Sequence, residues 1–390
     1  MPNPPHPPSS ELDHVAPLRR LGRGVRTLAI LGFRRLASTP EQPALTVAEH
    51  HPTRPRFPAI DAHAHLRGTF ASGWETRPAA ELGELLDAVG AERIVDLNGE
   101  YGSRLEAELG RFRSLGDRVA IFAGIQYELI GTTDDFGERM AQEARRSKDA
   151  GAMGLKVWKT LGLHARDRRG RLVGIDDERM DPLWAAAGEL GLPVMIHVAD
   201  PRAFFQKLTR SNERRDELRL HPEWRYWPLR PRGDAAHPAF PAHDELIEQF
   251  RAVLARHPGT TFIGAHVAGA AEDLGLVADM LQAHPNLVID ISARIAELGR
   301  QPYSARDLVL RFPDRVLFGV DRVDRRAYEV YYRLLETQDE YFEYGLGRMP
   351  ENGRWRIYGL GLPDDVLEQV YYRNAMRVIW AAPDSASPRA

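Results

Sequence analysis

The sequence predicts an α/β fold, a single (β/α)8 TIM barrel, on three observations. Eight short apolar or β-branched runs recur in order: Ala59–His63, Arg93–Leu97, Arg118–Ile125, Ala152–Trp158, Pro193–Val198, Thr261–Val267, Asn286–Ile291 and Arg315–Val320. They start about 30 residues apart, the length of one βα unit, with a longer gap before the sixth. Several are almost continuously apolar (VMIHV, TFIGAHV, LVIDIS, RVLFGV), as expected of parallel strands covered on both faces. A doubly wound open sheet would place a Gly-rich phosphate turn after its first strand, whereas this one ends in His-Ala-His.

Taken in order, the chain divides into three parts. Residues 1–57 form an N-terminal extension: a Pro-rich tail expected to be disordered, a short basic helix around Thr27–Phe33, and a Pro-rich arm from residue 39. The Thr27–Phe33 run falls far short of the ~20 apolar residues of a membrane span. It also ends in Arg34 and Arg35 rather than a small-residue cleavage site, so a cytoplasmic location is expected. The barrel occupies residues 58–380, with helical patterns at Ala79–Gly90, Asp134–Ala150, Asp181–Leu190, His243–His257, Glu272–Ala283 and Ala305–Phe312. Two insertions, residues 200–242 after strand five and 322–365 after strand eight, are rich in aromatics. Both would overhang the barrel mouth, most of their rings packing onto the barrel and a few lining the pocket. Residues 381–390 read as a disordered tail.

Composition narrows the chemistry. The 390 residues carry 52 Lys and Arg against 55 Asp and Glu, a net charge of −3, which argues against a nucleic-acid partner. With no Cys, disulfides, thiol nucleophiles and cysteine-held metals are excluded. Only four basic residues are Lys (Lys148, Lys156, Lys159, Lys207), so each marks a place where Arg did not serve.

The sharpest chemical signal is Asp61-Ala62-His63-Ala64-His65. Period two puts His63 and His65 on one strand face, where two imidazoles can converge on one cation. A lone buried His is more often a satisfied core residue. Here, however, strand five ends in His197, strand six in His266 and strand eight in Asp321, each closing an apolar run at the end where barrel enzymes keep their chemistry. Buried ionisable groups converging on one mouth need a shared partner, and neutral imidazole with carboxylate suits zinc or a similar divalent metal.

These motifs carry a resemblance. The segments IDAHAHL, MIHVADP, IGAHVAG and HPNLVIDIS followed by DRVLFGVD, with the closing Tyr372–Ile379, resemble the amidohydrolase superfamily. Within it they are similar to the amidohydrolase-related family of aminocarboxymuconate-semialdehyde decarboxylase and metal-dependent hydrolases. The resemblance covers about residues 58–380. It implies that His63, His65 and His197 ligate one metal, with Asp321 as ligand or close neighbour and as proton acceptor for the attacking water. It places His266 beside that water, on a second metal or as a general acid/base. Lys156, on strand four, would be either a carbamate bridging two metals or a plain cation that binds an anionic group. Zinc is the expected metal, one ion or two, with manganese and iron left open.

Further residues are assigned from position. Trp158 shares a strand face with Lys156, whereas Lys159 lies on the other face and reads as a salt-bridge or rim residue. Arg202 and Arg294 could meet a substrate carboxylate or phosphate at the mouth, or serve as structural ion-pair partners. The expected function is metal-dependent hydrolysis of a small-molecule amide, ester or lactone-like bond. Non-oxidative decarboxylation of a carboxylated, aromatic substrate is the alternative, and a non-catalytic metal- or ligand-binding barrel the second. The expected partner is a small-molecule substrate, with no integral membrane contact and with homo-oligomerisation open.

Overall fold

The computed structural model describes residues 44–68, 73–227, 240–345 and 352–380. The expected helix at 27–33 and the tail at 381–390 lie outside the described residues. Eight strands form one sheet: β1 Ala59–Ala64, β2 Ala91–Asp96, β3 Val119–Ala123, β4 Gly154–Val157, β5 Val194–Ile196, β6 Phe262–Gly264, β7 Leu287–Asp290 and β8 Val316–Leu317. Each overlaps its expected run. They pair in chain order, all parallel. The ring closes where Ala62 N donates to Phe318 O at 2.9 Å and Asp321 N to His63 O at 2.8 Å.

The helices lie outside the ring: α1 Ala79–Val89, α2 Gly102–Phe112, α3 Phe136–Ala150, α4 Asp181–Glu189, α5 His243–Arg256, α6 Leu274–Ala283, α7 Pro302–Arg311 and α8 Arg325–Glu336. Two of them, α2 and α8, were absent from the sequence expectation. The buried residues of α2 are Leu105, Glu108 and Phe112, too few apolar side chains to announce a face. The buried stripe of α8 is Ala327, Tyr328, Tyr331, Tyr332, Leu334 and Leu335, at helical spacing but built largely from tyrosine. These tyrosines pack around Phe318 of the β8 end, so much of the aromatic content of the second insertion is barrel packing.

Inside the ring, Ile60, Ala62, Phe122, Met195, Val288 and Leu317 form an apolar plug, closed by Ala375 and Ile379 of the C-terminal segment. This layer fixes strand parity. Positions in step with it turn inward at the upper ends of β4, β5, β7 and β8, which directs Lys156, His197, Asp290 and Asp321 into the mouth. The N-terminal arm, residues 44–57, carries no helix or strand and reaches the second insertion. There His50 N donates to Asp339 Oδ2 at 2.7 Å.

Candidate metal centre and active site

Strand β1 needs a correction to simple alternation. Ile60 and Ala62 already point inward, so parity alone would turn His63 out. The register shifts between Asp61 and Ala64, an irregularity of the kind that re-aims side chains at barrel rims. Asp61, fully buried, accepts from His63 N at 3.1 Å, from Val320 N at 3.2 Å and from the Tyr328 hydroxyl at 2.7 Å. It thereby pins the shifted segment between β8 and α8. Gly319 supplies the space: a Cβ there would sit 2.9 Å from His63 Cβ.

His63 and His65 come together with rings 5.4 Å apart. Their Nε2 atoms lie 3.3 and 3.4 Å from the same atom, Asp321 Oδ1. Ligands about 2.0–2.1 Å from a tetrahedral ion stand about 3.4 Å from one another, so these separations match edges of one coordination shell. His63 Nε2 is buried and makes no hydrogen bond, while Nδ1 is 2.9 Å from Asp290 Oδ2. That contact leaves Nε2 as the atom offered to an ion. The donor set therefore fits a divalent metal.

Asp290 was missed by the sequence reading, although it closes the run LVID as Asp321 closes FGVD. Its other oxygen, Oδ1, accepts from Ser292 Oγ at 2.5 Å, Ser292 N at 2.9 Å and His266 N at 3.2 Å. With both oxygens engaged, Asp290 orients ligands. The grouping of His63, His266 and Asp290 is thus a hydrogen-bonded scaffold, in contrast to the grouping of His63, His65 and Asp321.

His266 lies 4.6 Å from the His63 ring and 4.5 Å from that of His197. Its Nδ1 meets Ser292 O at 2.9 Å, which fixes the proton there and leaves Nε2 bare. His266, Val267 and Ala268 have φ of 58°, 60° and 54°, a left-handed turn immediately after β6. A β-branched residue in that region is an outlier, and Asp321 shares the conformation at φ 72°. Backbone strain of this kind collects at functional sites.

His197 stands one ring away from the His63, His65 and Asp321 group and does not share its close ligand distances. Its Nε2 is 3.1 Å from Asp200 Oδ1. The Lys159 ammonium donates to Asp200 Oδ2 at 2.8 Å, the salt-bridge role its strand face suggested.

Electrostatics suit metal binding. Burial holds His65 and His266 well below the usual imidazole range and takes His197 down to about 4. Neutral imidazoles are the form that ligates. Burial opposes ionisation of Asp321, but the adjacent His63 outweighs it, with His65 adding to the effect, and holds the carboxyl well below the usual range. Burial likewise opposes charge on His63, yet the Asp290 carboxylate raises it.

The remaining candidates divide. Lys156 is fully buried, with Nζ 5.1 Å over the Trp158 ring, and Trp158 stacks on His65 at 4.9 Å. Arg202 is engaged in ion pairs: its guanidinium pairs with Asp244 at 3.0 Å and reaches Asp273 at 3.7 Å, the structural alternative left open by the sequence. Arg294 is 6% exposed and donates to Ala293 O at 2.8 Å. Among the described residues no carboxylate lies within ion-pair distance of it.

The amidohydrolase family model matches residues 60–379. The chain belongs to the amidohydrolase family. As an amidohydrolase the protein is an enzyme of a metal-dependent family. Two solved structures with a TM-score of 0.50 and 16% identity each cover 83% of this chain and 98% of their own. One is an uncharacterised TIM-barrel protein from Bordetella bronchiseptica; the other is 2,6-dihydroxybenzoate decarboxylase in complex with 2,6-dihydroxybenzoate. At that identity they show the shared barrel. No curated protein matches the chain in sequence. Among the described residues no helix is long and apolar enough to cross a membrane.

Proposed function

We propose that this amidohydrolase hydrolyses an amide, ester or lactone-like bond in a small anionic molecule, with one divalent metal as cofactor. The observation that carries the reading is the convergence of His63 Nε2 and His65 Nε2 on one oxygen of Asp321. These three residues would hold the ion together with His197, and His266 would flank it. Zinc suits the nitrogen and oxygen donors, and manganese or iron are the other choices. A bound ion of this type supplies Lewis acidity and makes a water nucleophilic near neutral pH.

The protein's own groups do the rest. Asp321 is ionised, and its side chain, 19% exposed, is the member of the trio most open to the mouth. It accepts the proton of the attacking water and returns it to the leaving group. His266 presents a bare Nε2 and acts as a second proton acceptor. The Arg294 guanidinium, nearly buried and with no described carboxylate within ion-pair distance, binds the substrate's anionic group. Lys156, as an ammonium, adds positive charge beside the histidine cluster. Trp158 offers a ring face beside it.

Decarboxylation is the second reading, favoured by the same two buried cations, because a carboxylate held by Arg294 and Lys156 is also what that reaction consumes. The deciding experiment offers zinc- or manganese-loaded protein a panel of lactones and amides alongside carboxylated aromatics. Acid release without carbon dioxide, abolished by His63→Ala, is expected. Carbon dioxide release from the aromatics would replace hydrolysis with decarboxylation.

A further inference from the structure

We infer that Asp200 is a positioning residue that determines which nitrogen of His197 is bare, and that Lys159 and Tyr226 hold it in that role. The inference rests on the reading that His197 serves a metal centre. Asp200 is 5% exposed and lies just beyond β5, three residues after His197. Its Oδ1 is 3.1 Å from His197 Nε2. Its Oδ2 accepts from Lys159 Nζ at 2.8 Å and from the Tyr226 hydroxyl at 2.7 Å. Both donors on Oδ2, an ammonium and a hydroxyl, mark Asp200 as the accepting carboxylate of the cluster.

An ionised carboxylate only accepts hydrogen bonds, so the proton of a neutral His197 must sit on Nε2. Nδ1 is then the bare nitrogen, the form a metal ligand needs. Asp200 is the only hydrogen-bond partner of the His197 ring among the described residues. The geometry also explains a lysine in a chain that otherwise uses arginine. A compact ammonium approaches one oxygen, leaving Oδ1 for His197 and a lone pair of Oδ2 for Tyr226. An arginine fork tends to take both oxygens at once.

The same carboxylate seats the first insertion. Tyr226 belongs to it, and the Trp224 ring lies 5.8 Å from Lys159 Nζ. One contact of this mouth segment and the orientation of His197 therefore share a single anion.

The test measures zinc affinity of the metal-free full chain by chelator competition, with apo melting temperature recorded in parallel. Asp200→Asn turns its amide oxygen towards Lys159 and its NH2 towards His197, moving the ring proton to Nδ1. We expect zinc to bind about 10- to 100-fold more weakly. The double variant with His197→Ala should bind no more weakly than His197→Ala alone, because Asp200 acts through that ring. A merely structural ion pair would lower the apo melting temperature and leave affinity unchanged, or add its loss to that of His197→Ala. Either result overturns the inference. If Asp200→Asn does not fold, Lys159→Arg decides, since it keeps the charge pair. A loss of zinc affinity of about tenfold is then expected, and wild-type affinity refutes the inference. A wild-type chain that binds no zinc, manganese or iron would sink the proposed function itself, an outcome distinct from both.

Discussion

Gly319→Ala and Gly110→Ala make the same chemical change, and the structure assigns them opposite signs. At Gly319 the new methyl would lie 2.9 Å from His63 Cβ, 3.2 Å from His63 N and 3.4 Å from Ser292 Cβ. Carbon atoms prefer about 3.5–4.0 Å, so the closest contact overlaps by roughly half an ångström or more. The atoms in the way cannot rotate aside. They belong to the backbone and Cβ of His63, whose carbonyl is tied to Asp321 N at 2.8 Å. β1 and β8 must therefore separate where the metal trio spans them. Overpacking of this kind costs about 1–3 kcal/mol. A shift of about half an ångström between His63 and Asp321 is also enough to spoil a preorganised site. Gly110, by contrast, is exposed on α2 and meets nothing within 4 Å, so alanine there should add about 0.5–1 kcal/mol. Denaturant unfolding of both variants, followed by zinc titration, checks the pair. Gly319→Ala with wild-type stability and wild-type zinc affinity would refute the notch argument.

The remaining predictions concern the ion, the substrate anion and a buried acid. Dialysis against a chelator should lower the melting temperature, and added zinc should restore it. Saturation at 100 times the dissociation constant is worth about 2.7 kcal/mol, and Asp321→Asn should lose most of this response. Arg294→Met should weaken competition by a carboxylate such as benzoate about tenfold or more in a binding assay, leaving zinc affinity intact. Burial pushes Glu217 up from 4.5 to about 7, with Arg214 opposing. Between those values the folded state holds a proton that the unfolded state has lost. Stability is therefore lost as pH rises through this window, by about 3 kcal/mol at the upper limit. Glu217→Gln should flatten melting temperature against pH over that range, and parallel curves for the two proteins would refute the assignment.

The barrel was legible because its signal is local and repeated. Each strand declared itself by an apolar run, and the order of runs gave the order of the ring. The residues at the strand ends were legible by type, since His197, His266 and Asp321 are anomalies at the close of apolar segments. What holds them was not. Asp200 is one of 55 acidic residues, and nothing local separates it from a solvated carboxylate, whereas Asp290 does close the apolar run LVID but shows nothing local of what it holds. Asp290 acquires its role from His63, 227 positions away. The register shift in β1 was hidden for the same reason, since it exists only by comparison with β2. Arg202 and Arg294 illustrate the converse. Two arginines near strand ends look alike in sequence, and only the placement of Asp244 and Asp273 separates the ion-paired one from the one with no described carboxylate within ion-pair distance.

The distribution of unfavourable features points to what the mouth is for. Below it, the plug from Ile60 to Leu317 is apolar and carries the stability of the ring. Above it, three consecutive non-glycine residues from His266 hold positive φ, and a buried lysine sits among buried histidines. Left-handed backbone costs about 1–2 kcal/mol per residue, and clustered buried charge costs more unless a partner answers it. The turn returns only part of that: it delivers His266 N to Asp290 and His266 Nδ1 to Ser292. A right-handed continuation of β6 would relax the chain and abandon both contacts. It would also leave the carboxylate that orients His63 short of a donor, so the strain and the ligand geometry have one origin. Folding alone gives no reason to keep such a turn above a well-packed core. An ion held by His63, His65 and Asp321, with an anionic substrate against Arg294, gives that turn and those charges a use.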